Sequence, residues 1–155
     1  MMHHVCSLAE SVIHYPPLFH DIRALTAKPT YNTETVACAA VSAALEHNAA
    51  AIIVLTTSGN SARYIAKYRP RVPILTVTRF AYVARQSHLY RGCYPFLYDK
   101  ERLTPWQEDV ESRIKYAVDH GVRHGLLKKG DAVIVVQGWK GGSGHTNTMR
   151  VINTV

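Results

Sequence analysis

The chain of 155 residues holds only three cysteines, Cys6, Cys38 and Cys93, and no CxxC or other ligand spacing joins them. An odd count without a framework excludes a disulfide-stapled scaffold and predicts reduced thiols in the cytoplasm. Long hydrophobic runs are missing as well: the longest apolar stretch, Val36 to Leu55, is interrupted by Glu46-His47-Asn48, so no membrane span and no membrane partner are expected. The start, Met1-Met2-His3-His4-Val5, lacks the basic-then-apolar order of a secretory signal. The net charge is +7, yet no block of five like charges and no aromatic–basic ladder occurs. That pattern argues against nucleic acid and fits small anionic ligands better.

Several signatures of chemistry are absent too. There is no GxxxxGK[ST], GxGxxG or GxSxG pattern, which leaves a P-loop, a dinucleotide fingerprint and a nucleophile elbow unsupported. His120 and His124 stand four residues apart, but no carboxylate completes an HExxH-type set, so no metal and no cofactor are expected in this chain. No catalytic residue is assigned.

What is there reads as one globular domain, with 47% hydrophobic and 19% charged residues. His4 to Leu25 reads as helical pieces broken at Pro16-Pro17, a pair that cannot sit inside a helix. Val5, Leu8, Ala9 and Val12 form a short stripe with nothing obvious to pack on. Thr33 to His47 has helical spacing of Val36, Ala40, Val41, Ala44 and Leu45. Strands are expected at Ala50–Leu55, Ile74–Thr78, Gly92–Leu97 and Ala132–Val136, with a closing strand from Thr148 to Val155. Helices are expected at Ala62–Tyr68, Ala81–Leu89 and from Thr104 toward Leu126, the last weakened at Gly121. Thr104 fits an N-cap, Pro105 the first helical position, and Gln107 the far side of a capping box. The alternation predicts an α/β fold, mostly parallel. The short spacing before the last strand predicts an antiparallel edge pair.

Three stretches can carry binding chemistry. In Leu55-Thr56-Thr57-Ser58-Gly59-Asn60-Ser61-Ala62, hydroxyls and a glycine fall where a strand ends and a helix begins. Free N–H groups and the helix dipole favour an anion there; an ordinary N-cap would use the same residues. Trp106 and Arg113 lie two turns apart on one helix face, where an indole beside a guanidinium suits phosphate and sugar. A partly buried aromatic near a surface arginine is the plainer alternative. The loop Gln137-Gly138-Trp139-Lys140-Gly141-Gly142-Ser143-Gly144-His145-Thr146 joins glycines, donors, a cation and an aromatic. It reads either as a flap over a ligand or as a long hairpin connection.

The stretches AIIVLTTSGNSA (51–62), AKYRPRVPILTVTR (66–79), SHLYRG (87–92), WQEDVESR (106–113), LKKGDAVIVVQGW (127–139) and GSGHTNTMRV (142–151) carry a resemblance spread over most of the chain. They resemble the C-terminal domain of animal pyruvate kinase. The resemblance implies a three-layer αβα sandwich around a five-stranded sheet. It implies residues 1–14 as the last helix of a catalytic barrel and residues 15–155 as the regulatory domain.

It further implies an allosteric site for fructose 1,6-bisphosphate. One phosphate would sit on Thr56, Thr57, Ser58, Gly59, Asn60 and Ser61, the other on Trp106 and Arg113, with Trp139, Gly142, Ser143, Gly144, His145 and Thr146 closing over the sugar. Departures are visible: Asn60 stands where vertebrate forms usually carry Arg, and Lys140-Gly141 where they usually carry Arg-Pro. Thr57 resembles the liver and red-cell form rather than the muscle form. The resemblance places the glycolytic phosphoryl transfer from phosphoenolpyruvate to ADP, with its Mg and K ions, in the barrel. This chain alone is then expected to be inactive, with its own barrel and further subunits as partners: a tetramer at full length, a possible dimer as a fragment. The alternative is a stand-alone sugar-phosphate or nucleotide binding module.

Overall fold

The computed structural model describes residues 1–154. Eleven elements follow in order: α1 (Met2–Ser11), α2 (Tyr15–Leu25), α3 (Asn32–Glu46), β1 (Ala51–Leu55), α4 (Asn60–Lys67), β2 (Ile74–Thr78), α5 (Ala81–Ser87), β3 (Cys93–Leu97), α6 (Trp106–Arg123), β4 (Ala132–Gly138) and β5 (Thr146–Asn153). The strands form one sheet in the order β3-β2-β1-β4-β5. The first four are parallel and β5 runs antiparallel to β4. This is the expected α/β sandwich with an antiparallel edge.

Burial follows from the sequence of the strands. β1 and β2 are buried at every position, because a parallel strand covered on both faces must be apolar throughout rather than alternating. Ile52, Val54, Ile74, Ile134 and Val136 pack on one side with Phe19 of α2, Ala37, Ala40 and Val41 of α3, and Ile65 of α4. Ala51, Ile53, Leu55, Leu75, Val77, Val133 and Val135 pack on the other with Val110, Ile114 and Ala117 of α6. The small residues of α3 let it lie close to the sheet.

Strand order also locates the site. From β1 the chain moves to β2 and β3 on one side, then returns to place β4 on the other. The loops leaving the carboxyl ends of β1 and β4 therefore diverge, and a crevice opens between them.

Five expectations are corrected. Pro16 and Pro17 do not break a helix but occupy the first turn of α2, where a missing N–H has no intrahelical role; the interruption falls instead after Ser11. α4 starts at Asn60 rather than Ala62, with Gly59 in the left-handed region (φ 82°) as its N-cap. No capping box forms at α6: Pro105 is the N-cap, no side chain caps it, and the helix starts at Trp106, so Thr104 is one residue too early to reach the first turn. Gly121 lies inside α6 and does not end it. A Cβ there would stand 2.8 Å from Leu127 Cδ1 and 3.1 Å from Leu75 Cδ1, so glycine serves close packing. The closing strand begins earlier than expected, at Thr146, and its expected last residue, Val155, lies outside the described residues. α1 has no buried residue, in keeping with its unpartnered stripe.

Candidate functional site

A cleft of about 200 Å³ opens at the carboxyl ends of β1 and β4. Its floor is the 56–61 turn. Thr56 Oγ1 accepts from Gly59 N at 2.9 Å, and Ser58 Oγ from Asn60 N at 3.5 Å. These bonds coil the turn onto the start of α4, whose first N–H groups have no intrahelical partners. Gly59 suits this position because its φ is positive and a Cβ would press to 3.3 Å from Val83 Cγ1. Ser61 and Thr146 share a hydrogen bond of 2.7 Å, which ties α4 to the start of β5.

The opposite wall comes from α6. The Arg113 guanidinium lies over the Trp106 ring, 5.0 Å from its centroid. Arg113 is only 8% exposed. Its Nε pairs with Asp109 Oδ2 at 3.0 Å, while Nη2 has no hydrogen-bond partner. Burial pulls the Arg113 pKa below its ordinary value, and the Asp109 charge works against that shift. A buried cationic N–H left open at the edge of a cleft is costly unless a ligand completes it.

The third wall is the loop between β4 and β5. The ladder is irregular at Gln137–Gly138, and a Cβ on Gly138 would meet the His145 carbonyl oxygen at 2.9 Å. Only glycine lets the chain turn over itself here. Thr57 Oγ1 donates to Gly142 O at 3.4 Å, and Gly141 lies against Trp106, so the loop already touches both other walls.

Twelve of the fourteen residues singled out from the sequence border this cleft: Thr56, Thr57, Ser58, Asn60, Ser61, Trp106, Arg113, Gly142, Ser143, Gly144, His145 and Thr146. Two do not. Gly59 sits beneath the turn as the α4 cap. Trp139 is 58% exposed and stands edge-on to His145, 5.9 Å between ring centroids, with Lys140 Nζ 4.6 Å from its own centroid. The cleft also includes Tyr31, Thr33, Tyr64, Gln137 and Lys140. Of these, Gln137 and Lys140 stood inside the loop already read as functional. Tyr31, Thr33 and Tyr64 had no local signal.

No carboxylate borders the cleft among the described residues, whereas Arg113 and Lys140 do. The chemistry offered is anion binding, with hydroxyls, backbone N–H groups and a guanidinium as donors and an indole as a flat wall. No three His, Cys, Asp or Glu side chains converge among the described residues. Among the described residues no helix is long and apolar enough to cross a membrane.

The family described as the pyruvate kinase alpha/beta domain matches residues 34–152. The chain belongs to this family. It is 57% identical over 152 residues to a pyruvate kinase of Candida albicans, covering 98% of this chain and 30% of that protein. It is 52% identical over 155 residues to a pyruvate kinase of Agaricus bisporus, covering 98% of this chain and 29% of that protein. It is 51% identical over 144 residues to pyruvate kinase 2 of Saccharomyces cerevisiae, covering 93% and 28%. The chain therefore spans about 30% of the length of the pyruvate kinases it matches. These relatives are fungal, and the assignment is to the pyruvate kinase domain family rather than to an animal branch of it.

Proposed function

We propose that this pyruvate kinase domain is the regulatory C-terminal part of a phosphoryl-transferring enzyme and that its cleft binds fructose 1,6-bisphosphate as an allosteric activator. The observation that carries the reading is Arg113, which lines the cleft together with the hydroxyl-rich start of α4 and whose buried Nη2 has no hydrogen-bond partner. Two anion sites of different construction, a guanidinium and a helix end, suit a ligand with two phosphates. The resemblance to animal enzymes adds the bisphosphate itself. Asn60 and Lys140, which replace the usual vertebrate residues, keep donors at both places.

In this reading residues 1–14 are the remnant of the last barrel helix, supported by the exposure of Val5, Leu8 and Val12. Residues 15–155 are the regulatory domain. Phosphoenolpyruvate, ADP and the Mg and K ions belong to the barrel, and the isolated chain is inactive. The bisphosphate orders the 139–145 loop against Trp106 and biases an oligomer between two arrangements by binding one more tightly. Met149 and Val151 on the outer face of β5 are exposed, as a strand that meets a second subunit would be.

The test is a fructose 1,6-bisphosphate titration of the chain and of Arg113→Ala. Saturable binding weakened by about ten- to a hundredfold in the variant is expected, the worth of one charge-assisted hydrogen bond. Equal binding by both proteins would refute the assignment of Arg113.

A further inference from the structure

Arg113 owes its open nitrogen to the residues behind it. Asp109, only 2% exposed, is shared by two guanidiniums. Its Oδ1 accepts from Arg79 Nη2 at 2.5 Å and from Leu103 N at 3.1 Å. That leaves only Oδ2 for Arg113, which uses Nε at 3.0 Å. A carboxylate with both oxygens free would draw Arg113 into the two-pronged pair that arginine favours, engaging an outer nitrogen as well. Arg79 is itself fixed. It donates to the carbonyls of Lys100 and Glu101 and lies 4.8 Å from the Tyr98 ring centroid. The small cavity beside the cleft gathers Arg79, Arg102 and Arg113 around this one carboxylate, an excess of positive charge suited to a phosphate.

We propose that Asp109 and Arg79 are positioning residues of the anion site: by sharing one carboxylate they hold Arg113 with its outer nitrogen free for a phosphoryl oxygen, and they act on the ligand through Arg113. The inference rests on the sugar-bisphosphate reading for the ligand and on the ion network for the geometry.

The test compares the full chain with Asp109→Asn and Arg79→Lys. Each is titrated calorimetrically with fructose 1,6-bisphosphate, and each is measured without ligand by the side-chain Nε–H resonance of Arg113. Charge and positioning predict opposite signs for Asp109→Asn. Removing a negative charge beside an anion strengthens binding, whereas releasing Arg113 weakens it. A loss of about ten- to a hundredfold is expected, the worth of one charge-assisted hydrogen bond, together with collapse of the Arg113 resonance to the position of a free side chain. Equal or tighter binding overturns the proposal.

Arg79→Lys keeps the charge and decides the matter if Asp109→Asn does not fold. Lysine cannot hold two carbonyls and Oδ1 together in the arginine geometry, so Oδ1 is released to a second nitrogen of Arg113. Binding about tenfold weaker and a shifted Arg113 resonance are expected; unchanged affinity and resonance overturn the proposal. If the unsubstituted chain does not bind the bisphosphate, the functional reading falls, and the ligand-free resonance decides the positioning claim by itself. An Arg113 signal identical in the parent and the folded variant then refutes it, and a displaced one sustains it.

Discussion

Single residues in this domain have roles their neighbours in sequence do not show. Asp109 lies in the polar run Gln107-Glu108-Asp109, which reads as a solvated helix face, yet its carboxylate is buried between two arginines. Only the fold brings Arg79, thirty positions earlier, to its side. Cys93 is another case. It opens β3 half-buried, and burial pushes its thiol up to about 11 from an ordinary 9.0. Because the folded form holds the proton more tightly than the unfolded chain, this contribution is complete below pH 9 and is lost as pH rises from about 9 to 11. The expected loss is about 2 kcal/mol across that window, absent in Cys93→Ser, measured by urea unfolding as a function of pH. A thiol-reactive probe at pH 8 should label the exposed Cys6 well before Cys93.

At the scale of elements, the strands were the most legible. Ala51–Leu55 and Ile74–Thr78 are apolar runs too short for helices and flanked by turns, and a doubly covered parallel strand admits little else. The hydroxyl-rich turn after β1 was legible for a local reason: its residues hydrogen-bond within four positions of one another. Helix ends were less so. The apparent capping box at Thr104 failed because the start of α6 is set by tertiary bonds. Leu103 N donates to Asp109 Oδ1, and Arg79 holds the preceding loop by its carbonyls. Tyr31, Thr33 and Tyr64 reach the cleft only because α3 and α4 pack side by side, which no local pattern announces. Trp139, chosen for its place in a glycine-rich loop, points outward where the ladder shifts at Gly138.

Gly121 offers a test at this scale, since helix propensity and packing oppose each other in α6. Alanine should favour the helix by about 1 kcal/mol. Its methyl group would press on Leu127 and Leu75, both buried, at a cost of about 1–3 kcal/mol. We expect Gly121→Ala to be destabilising in urea unfolding. A stabilised variant would mean that the Leu127 side chain yields freely.

In the whole molecule, α1 stands apart from the core of the sandwich. α1 buries no residue and is attached through a partly exposed contact, Glu10 with Arg91 at 3.4 Å. Exposed pairs of this kind contribute at most about 1 kcal/mol. Deleting residues 1–11 should therefore leave the unfolding midpoint nearly unchanged. A large drop would show that α1 belongs to the domain core.

The sandwich places a carboxylate-free cleft lined by Arg113 and Lys140 where the strand order reverses, and the central claim is that this cleft holds a sugar bisphosphate. The most direct measurement uses Trp139→Phe, which leaves Trp106 as the sole indole, lying under the guanidinium of Arg113. Titrating this variant with fructose 1,6-bisphosphate should give a saturable change in tryptophan emission that Arg113→Ala weakens. Emission that stays flat through millimolar ligand, with calorimetry equally silent, would contradict the account.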